Sequence, residues 1–355
     1  MKVLLLGEFS GFHTALRDGL RVLGHDAMVV GTGDGSKAIP VDWNIGTSWT
    51  GTAGTIARVA KALQFTATFR QVDVLQIVNP HVFPRGGGLN DALVRRIRRR
   101  VPRLFLSACG DDAFFVQRGI NQLRYNPIDD ATIYDLRLDR HPLDNDRDWQ
   151  WNAELADMAD GIIPVMCEYC LGYAGRPTLR PAIPLPINTS KIHALPNHVG
   201  ERLVVMHGAG RAGFKGTRHI LKAFDLLEQR HPGRFEFIHV TNLPIAKYLE
   251  LMTRVNVVVD QVNGYSCGMN ALFALAMGKV VLGGAEPESL SLYNGAPSPV
   301  RNVRPDPEEI VQELEALLDL RADFPEMGEA ARQFVELHHD YRIIAARYID
   351  AWSAT

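Results

Sequence analysis

The sequence of 355 residues lacks the features that would place a chain in a membrane or stabilise it through disulfides. No stretch offers the roughly 20 consecutive apolar residues that a membrane-spanning helix needs. The apolar run near the N-terminus extends only from Val3 to Leu6, too short for a secretion signal, and Gly7 and Glu8 follow it at once. The four cysteines are scattered along the chain, as is usual in a reducing compartment. These absences predict a cytoplasmic protein.

An excess of charge of one sign is also missing, which excludes recruitment of nucleic acid by an overall field. The 38 basic and 40 acidic residues give a formal net charge of -2, so we expect no nucleic-acid partner. One local exception is a predicted helix with the basic run Arg95 to Arg100. Its cations either contact an anionic membrane surface or form a solvated helix end whose charges complement the helix dipole.

What the sequence does contain is a regular alternation of apolar strands and amphipathic helices. The chain opens with a strand from Lys2 to Leu6, a glycine turn, a helix that ends at Gly24, and a further strand that begins at Asp26. This order is the repeating unit of a parallel sheet.

A proline-rich stretch at 176–200 interrupts the alternation and is interpreted as a linker between domains. The alternation then restarts and ends with helices over 307–319 and 327–351. The sequence therefore predicts an α/β fold with two Rossmann-like, doubly wound parallel-sheet domains that face a shared cleft. The predicted parts are an N-terminal domain over 1–185, a C-terminal domain over 186–335 and a final helix over 336–355.

The first chemically informative motif is the glycine-rich turn from Gly208 to Gly216, which follows a strand and opens a helix. Glycines let the backbone approach an anion, and a helix N-terminus supplies free N–H groups and a positive dipole end. Gly210 precedes Arg211 in this turn, and Lys215 adds a second positive charge. The motif suits a diphosphate, although a loop with two solvated cations explains the local spacing equally well.

A second strand–turn–helix motif begins at Asp260, where a strongly apolar strand ends. The turn and the helix start contain Tyr265, Ser266, Cys267, Gly268, Met269 and Asn270. The helix is almost wholly apolar, which indicates burial on most sides. A buried helix with a small, glycine-rich N-terminus is what a nucleotide phosphate site needs, and the alternative is a core helix with a tight entry turn.

These two motifs together resemble the C-terminal domain of the family 4 (group 1) glycosyltransferases, which are GT-B proteins. The resemblance is carried by Gly210-Arg211, Lys215-Gly216, Gly268 and the run Ala274-Leu275-Ala276-Met277-Gly278. The opening turn, with Gly7, Gly11 and His13, is similar to the family's N-terminal glycine loop.

The resemblance implies a GT-B fold with the nucleotide sugar on the C-terminal domain and the acceptor on the N-terminal one. It implies that Arg211 and Lys215 contact the donor diphosphate, and that backbone N–H groups from Cys267 to Asn270 bind its other side. It also implies that the final helix crosses back to the N-terminal domain.

The chain departs from the family at two positions around the second motif. The family usually carries two glutamates there, one for the donor sugar and one for the ribose, and Tyr265 and Phe273 take their places. Neither side chain accepts hydrogen bonds as a carboxylate does. Asp260, Glu286 and Glu288 are the candidate substitutes.

In the N-terminal domain, Asp111 and Asp112 directly follow a predicted strand, where the family often has a histidine near the reacting sugar. Paired carboxylates there would orient an acceptor hydroxyl or act as a base. The alternative is a helix cap, and one aspartate can cap while its neighbour faces the cleft. His81 and His13 are two further catalytic candidates, with a structural role as the alternative for each.

The resemblance implies a metal-independent hexosyltransferase of bacterial polysaccharide biosynthesis. It would move a sugar from a nucleoside diphosphate sugar to a glycan, lipid-linked or protein acceptor, with retention. Arg211, Lys215 and helix dipoles would stabilise the leaving diphosphate, so we expect neither a cofactor nor a metal. Cys167 and Cys170 have C-x-x-C spacing but are interpreted as incidental, because a lone pair supplies too few metal ligands.

Three alternatives to this function remain. Tyr265 and Phe273 favour a non-catalytic GT-B protein that binds a nucleotide or glycan, or that supports a partner transferase. A nucleotide-sugar epimerase of the same fold would turn over without an acceptor. An NAD-dependent oxidoreductase is disfavoured, because neither glycine turn fits the dinucleotide fingerprint.

Overall fold

The computed structural model describes residues 1–354, so Thr355, the last residue of the predicted segment 336–355, lies outside the described residues. Two separate parallel sheets with intervening helices make up the fold. This arrangement confirms the predicted α/β class with two parallel-sheet domains. No helix within residues 1–354 is long and apolar enough to cross a membrane.

The N-terminal sheet is built from β1 (Lys2–Leu6), β2 (Asp26–Gly31), β3 (Trp43–Asn44), β4 (Val74–Ile77), β5 (Arg103–Ala108) and β6 (Gly161–Pro164). The strands are parallel and lie in the order β3-β2-β1-β4-β5-β6. The chain reverses its direction of travel across the sheet between β1 and β4, which makes this pair the topological switch point. Successive side chains of β1 are buried on both faces of the sheet, as in other parallel sheets covered by helices.

The C-terminal sheet is built from β7 (Leu203–Gly208), β8 (Phe235–Val240), β9 (Val257–Val259), β10 (Val280–Gly283) and β11 (Arg301–Asn302). Its strands are also parallel, in the order β11-β10-β9-β7-β8. The switch point of this sheet therefore lies between β7 and β9. In open α/β sheets, ligands bind outside the carboxyl ends of the strands at such points.

Within residues 1–354, twelve α-helices connect and cover the strands. In the N-terminal half they are α1 (Phe12–Val22), α2 (Gly51–Thr68), α3 (Leu89–Arg98), α4 (Pro127–Asp130) and α5 (Asp146–Met158). In the C-terminal half they are α6 (Ala212–Lys215), α7 (Thr217–Arg230), α8 (Ile245–Met252), α9 (Met269–Ala276), α10 (Pro307–Asp319), α11 (Phe324–His338) and α12 (Tyr341–Ser353).

The largest cluster of buried apolar residues is continuous between the two halves of the chain. It contains the apolar side chains of β1, β4 and β5 together with those of α9, α11 and α12. A smaller cluster lies within the C-terminal half, where α7 and α10 pack on β7 and β9. The apolar helix α9 therefore belongs to the core that joins the two halves, as its all-round hydrophobicity indicated.

The last helix, α12, packs on the N-terminal sheet and its first helix. Trp352 donates an indole N–H to Gln76 of β4 at 3.0 Å and accepts a hydrogen bond from Arg103 of β5 through its backbone oxygen. Tyr348 and Phe12 of α1 approach with ring centroids 6.2 Å apart. Gly19 of α1 lies directly against the α12 backbone, because a Cβ there would be 2.1 Å from the Tyr341 carbonyl oxygen.

Some elements differ from the predicted ones. The segments that form β3, α2 and α8 carried no prediction, and α2 opens with glycines and threonines, which are weak helix formers. The helix predicted over 327–351 is two helices, α11 and α12. Asp340 accepts a hydrogen bond from the backbone N–H of Arg342, and this N-cap begins a new helix.

Candidate functional site

A cavity of about 810 Å³ lies between the two sheets, at the carboxyl ends of their strands. Its wall includes residues that directly follow β4, β5, β7 and β9, so both switch points open into it. The volume falls in the range of small-molecule sites. The predicted site residues that line it are His81, Asp111, Gly210, Arg211, Lys215, Gly268, Met269 and Asn270.

Arg211 and Asp111 form an ion pair across this cavity. Arg211 Nη2 lies 2.6 Å from Asp111 Oδ2, and the guanidinium stacks on the Phe214 ring at 4.1 Å. His141 Nε2 lies 3.7 Å from the same carboxylate oxygen. Burial alone would raise the pKa of Asp111, but Arg211 and His141 together hold it below its ordinary value. Asp111 is therefore an ionised carboxylate at neutral pH.

A second carboxylate from the N-terminal half occupies the glycine-rich turn. The backbone N–H groups of Gly213 and Phe214 donate to the two oxygens of Asp135, at 2.7 and 3.0 Å. These are N–H groups of the kind predicted to bind an anion. Asp135 and Asp111 thus place two negative charges on the turn from Gly208 to Gly216, which supports its character as an anion-binding element.

Lys215 pairs with Asp260, at the carboxyl end of β9. Lys215 Nζ donates to Asp260 Oδ1 at 2.6 Å. The other carboxylate oxygen, Asp260 Oδ2, has no hydrogen-bond partner among the described residues, although Asp260 is only 2% exposed. The hydroxyl of Tyr248, which is 7% exposed, also has no partner. Both residues line the cavity, and buried polar atoms without partners are rare in folded proteins.

The N-terminus of α9 also faces this cavity. Gly268 is its N-cap residue, and no side chain caps the helix. Met269 and Asn270, the first two residues of the helix, belong to the cavity wall. A Cβ at Gly268 would lie 3.2 Å from Gln261 Oε1 and 3.7 Å from Asp260 Oδ2, so glycine keeps this corner open. An uncapped helix N-terminus attracts anions through its free N–H groups and dipole.

His81 lies on the N-terminal side of the cavity. Its Nε2 is 3.1 Å from Asp148 Oδ1, and its Nδ1 has no partner among the described residues. Burial, and then the positive charge of Arg85, lower the pKa of His81 to about 4. The imidazole is therefore neutral at pH 7, with its Nε2 proton directed to Asp148.

The two neighbouring aspartates of the N-terminal half have separate roles. Asp112 is 1% exposed and does not line the cavity. Its Oδ1 accepts the backbone N–H of Phe115, and its Oδ2 accepts the Tyr173 hydroxyl, both at 2.8 Å. Asp112 thus takes the capping interaction that was the alternative interpretation, while Asp111 faces the cleft. The expectation that Asp112 is catalytic is corrected by this placement.

His13, Gly7 and Gly11 do not line the cavity, although Phe9 and Ser10 of the same loop do. His13 is fully buried, and its Nδ1 hydrogen-bonds to the Gly7 carbonyl oxygen at 2.8 Å. Burial lowers its pKa to about 3, so it is a neutral core histidine. Gly7 and Gly11 instead allow the chain to turn, since both have positive φ. The expectation that His13 faces the cleft is therefore wrong.

Five of the predicted donor-binding residues do not line the cavity: Gly216, Tyr265, Ser266, Cys267 and Phe273. The Tyr265 hydroxyl accepts the backbone N–H of Arg124 at 2.6 Å, and Ser266 donates to Glu168. Phe273 Cζ would lie 3.8 Å from a Cβ at Gly11. The side chains of Tyr265, Ser266 and Phe273 thus contact the N-terminal half, and Cys267 Sγ lies 4.0 Å from the Tyr293 hydroxyl. This placement corrects the expectation that these side chains face the donor.

Only one of the three candidate substitutes for the missing glutamates reaches the cavity. Glu286 and Glu288 both form ion pairs with Arg124, and Glu286 also accepts the Tyr125 hydroxyl. Asp260 is the substitute that lines the cavity.

Three of the five arginines in the run from Arg95 to Arg100 contact acidic side chains or backbone oxygens of the same domain. Arg95 pairs with Glu154, Arg98 lies 3.5 Å from Asp160, and Arg100 donates to backbone oxygens. These contacts favour the interpretation of the run as part of a helix end packed on its own domain, and they leave membrane contact as an untested prediction.

Among the residues whose contacts are described above, Arg85, Asp135, His141 and Tyr248 were not singled out in the sequence. Arg85 follows His81 closely, so the loop after β4 carried a usable signal. Asp135 and His141 lie between α4 and α5, in a stretch without a strand end or motif that would point to a site. Tyr248 lies on α8, which was itself not predicted.

Solved structures of similar fold extend over the whole chain. Sucrose-phosphate synthase from Thermosynechococcus elongatus superposes with a TM-score of 0.65 at 13% identity, covering 100% of both chains. Anabaena HepE, solved with UDP and glucose, gives 0.61 at 15% identity and 100% of both chains. An α-glucosyltransferase, solved with UDP and a 13-mer DNA, gives 0.61 at 11% identity and 99% of both chains.

The chain has the GT-B fold. The order of the two parallel sheets, the cleft between them and the match along the full length of these glycosyltransferases establish this architecture. No family model matches the sequence, and no curated sequence does. At identities of 10–15%, this similarity supports the fold alone. The chemistry of the chain has to be argued from the residues of its own site.

Proposed function

We propose that this GT-B protein transfers a sugar from a nucleoside diphosphate sugar to an acceptor bound on the N-terminal side of the cleft. The observation that carries the proposal is the convergence of Arg211, Lys215 and the uncapped N-terminus of α9 on one cavity. Two cations and a helix dipole at a strand-end crevice suit a diphosphate better than any neutral ligand. UDP is present in the solved HepE and α-glucosyltransferase structures.

In this proposal the three anion-binding groups act on the leaving diphosphate. Negative charge develops on it as the bond to the sugar breaks, and preorganised cations and N–H groups stabilise that charge. Arg211 would exchange its contact with Asp111 for one with a phosphate oxygen. Lys215 would keep one face toward Asp260 and present another proton to the diphosphate. The proposed transfer thus uses protein groups and needs no metal.

The nucleoside would take up the two polar atoms that lack partners. Asp260 Oδ2 accepts hydrogen bonds, so a ribose hydroxyl would satisfy it. The Tyr248 hydroxyl would pair with a second polar atom of the nucleoside. We propose that Asp260, rather than a glutamate on α9, is the carboxylate that recognises the ribose in this chain. This assignment explains how donor binding is compatible with Tyr265 and Phe273 at the two glutamate positions.

The acceptor would approach from the side of His81 and Asp111. Asp111 is ionised and, once released from Arg211, can accept a proton or a hydrogen bond from an acceptor hydroxyl. The proposed acceptors are a glycan, a lipid-linked sugar or a protein, and the proposed stereochemical outcome is retention. Domain closure over both substrates would exclude water from the reaction.

The direct test is nucleotide binding by calorimetry. UDP, GDP, ADP and CMP are titrated into wild type, Arg211→Ala and the control Arg234→Ala, an exposed arginine of the same half. We expect one nucleoside diphosphate to bind to wild type and the control, and to bind Arg211→Ala about 10-fold to 100-fold more weakly. Release of that nucleotide from its sugar conjugate is then measured with and without acceptors. Failure of all four nucleotides to bind would overturn the proposal.

A second candidate function is nucleotide or glycan binding without transfer. It is favoured by the contacts of Asp111 and Asp135, which already neutralise the anion-binding turn. This candidate predicts nucleotide binding with the same dependence on Arg211 and no release of nucleotide from any sugar conjugate. The turnover measurement therefore separates the two.

A further inference from the structure

A smaller cavity of about 250 Å³ adjoins the large one on its acceptor side. His81 and Arg85 line both cavities, so the two spaces share a wall in the loop after β4. The remaining wall comes from the starts of two helices: Asp91 of α3, and Asn145, Arg147, Asp148 and Trp151 at the N-terminal end of α5. The volume corresponds to roughly eight water molecules at about 30 Å³ each, which is the scale of one sugar residue rather than of a nucleotide.

The two arginines of this smaller cavity are not held in ion pairs within the described residues, although the charges of Asp148 and Asp111 act on Arg85 from a longer distance. Arg85 and Arg147 are both exposed, and within residues 1–354 neither side chain has a hydrogen bond or an ion pair. By contrast, Arg95, Arg124 and Arg211 are each paired with a carboxylate. Both guanidinium groups line the smaller cavity, so an anion bound there lies close to two positive charges. The planar guanidinium fork matches a carboxylate or phosphate group.

A buried polar atom on the shared wall points to the same ligand. The His81 side chain is only 9% exposed, and its Nδ1 lacks a partner although Nε2 contacts Asp148. Because the Nε2 proton is directed to a carboxylate, Nδ1 carries a lone pair and requires a donor. A sugar hydroxyl is such a donor. The low pKa of His81 agrees with a neutral ring in this role.

The carboxylates of the smaller cavity do not cancel this preference. Asp148 is engaged by His81 and by the Asn145 amide. Asp91 accepts a hydrogen bond from Asn90 and retains an oxygen for a ligand hydroxyl. Asp91 and Asp148 already complement the dipoles of α3 and α5, so preference for an anion depends on the two arginines.

We propose that the smaller cavity is an acceptor subsite for an acidic sugar, whose carboxylate or phosphate group is bound by Arg85 and Arg147 and whose hydroxyls contact His81 and Asp91. The assignment of the sugar as an acceptor rests on the proposed transferase function. The binding of an acidic sugar itself depends only on the residues of this cavity.

The experiment uses the full chain, labelled with 15N at histidine and saturated with the nucleotide that calorimetry identifies, so that the large cavity is occupied. D-Glucuronate, D-glucose 6-phosphate and D-glucose are titrated while the imidazole signals of His81 are followed, with His81→Gln to assign them. The variants are Arg85→Gln and Arg147→Gln. The control is Arg96→Gln, an exposed arginine on α3 outside the cavity.

We expect at least one acidic sugar to bind about tenfold or more tightly than glucose and to shift His81, since charge-assisted hydrogen bonds discriminate by this amount. Each variant should remove most of that difference, and Arg96→Gln should leave it unchanged. Preference for glucuronate assigns a carboxylate as the anionic group, and preference for glucose 6-phosphate assigns a phosphate. Equal binding of all three sugars, or acidic-sugar binding that both variants retain, overturns the subsite.

Failure of the proposed function gives a different result in the same samples. If none of the four nucleotides binds and an acidic sugar still binds through Arg85 and Arg147, the donor site is wrong and the acidic-sugar site stands. If a nucleotide binds and no acidic sugar does, the subsite alone is wrong.

Discussion

Arg211 Nη2 and Asp111 Oδ2 lie 2.6 Å apart, although the residues belong to different halves of the chain and follow strands of different sheets. The cation proposed to bind the donor diphosphate is therefore held by a carboxylate of the acceptor side. In the proposed binding mode, a diphosphate displaces this carboxylate from Arg211. Binding of a donor would therefore release Asp111 from its ion pair with Arg211.

We expect Asp111→Asn to bind UDP more tightly than wild type, by several-fold up to about tenfold. The substitution removes the competitor for Arg211 and a negative charge that would repel the diphosphate. Calorimetric titration of UDP measures the change, and Asp139→Asn, an exposed acidic residue outside the cavity, is the control. Weaker binding by Asp111→Asn would mean that the carboxylate orients Arg211 for the ligand instead of competing with it.

The proposed recognition of the ribose by Asp260 leads to a second prediction. Because Asp260 also holds Lys215, a simple Asp260→Asn substitution would disturb the phosphate site as well. Comparing UDP with its deoxy analogues within each protein cancels this general loss of affinity, because the phosphate site affects all three ligands equally. Wild type and Asp260→Asn are each titrated with UDP and with its 2′-deoxy and 3′-deoxy analogues.

We expect wild type to bind one deoxy analogue about tenfold more weakly than UDP, since the loss leaves a buried carboxylate oxygen unpaired. Asp260→Asn should bind that analogue and UDP with nearly equal affinity. If the analogue loses the same factor in both proteins, Asp260 does not contact the ribose. Tyr248→Phe, tested in the same way, reports on the second unpaired group.

Features of the site that depend on the chain's local order could be predicted from the sequence. The carboxyl ends of β5, β7 and β9 brought Asp111, Arg211 and Asp260 to one crevice, because parallel strands end at the same edge. The glycine turn before α6 and the glycine at the start of α9 marked two of these ends. The placement of Asp111 and Asp112 agrees with the alternative considered for this pair, in which one aspartate caps a helix and its neighbour faces the cleft.

Features that depend on packing between distant segments could not be predicted. Asp135 reaches the N–H groups of Gly213 and Phe214 from a segment without strand or motif, so only the tertiary fold brings it there. Tyr265 and Phe273 stand at motif positions, but contacts with Arg124 and Gly11 direct them away from the cavity. Similar motif spacing predicts where a residue lies in the fold, but it does not predict the direction in which the side chain points.

The contact between α1 and α12 yields a prediction on stability. A Cβ at Gly19 would lie 2.1 Å from the Tyr341 carbonyl oxygen and 2.8 Å from the Ala345 Cβ, both on α12. Gly19→Ala should therefore destabilise the protein by about 1–3 kcal/mol through overpacking, even though alanine favours helices. Urea unfolding measures the loss. Gly200→Ala, where a Cβ meets nothing within 4 Å, is the control. Equal stability of the two variants would show that α12 does not pack tightly on α1.

Asp112 predicts a pH dependence whose sign is set by its burial. Burial raises the pKa of its carboxyl to about 6 from 3.8, in spite of the hydrogen bonds from Phe115 and Tyr173. The folded chain thus retains a proton that the unfolded chain loses near pH 4. This contribution to stability is complete below about pH 4 and is lost as the pH rises through about 6. The full loss amounts to about 3 kcal/mol at 1.36 kcal/mol for each pKa unit.

Asp112→Asn tests this sign, because asparagine keeps the acceptor for Phe115 but carries no charge at any pH. The unfolding free energy of the variant minus that of wild type should increase by about 2 kcal/mol between pH 4 and pH 7. A constant loss from the weaker contact with Tyr173 shifts the whole difference and leaves its slope unchanged. In Tyr173→Phe the lost hydrogen bond should raise the pKa of Asp112 further and move the same transition to higher pH. A flat difference between Asp112→Asn and wild type would show that the carboxyl is already ionised at pH 4, and that its hydrogen bonds outweigh its burial.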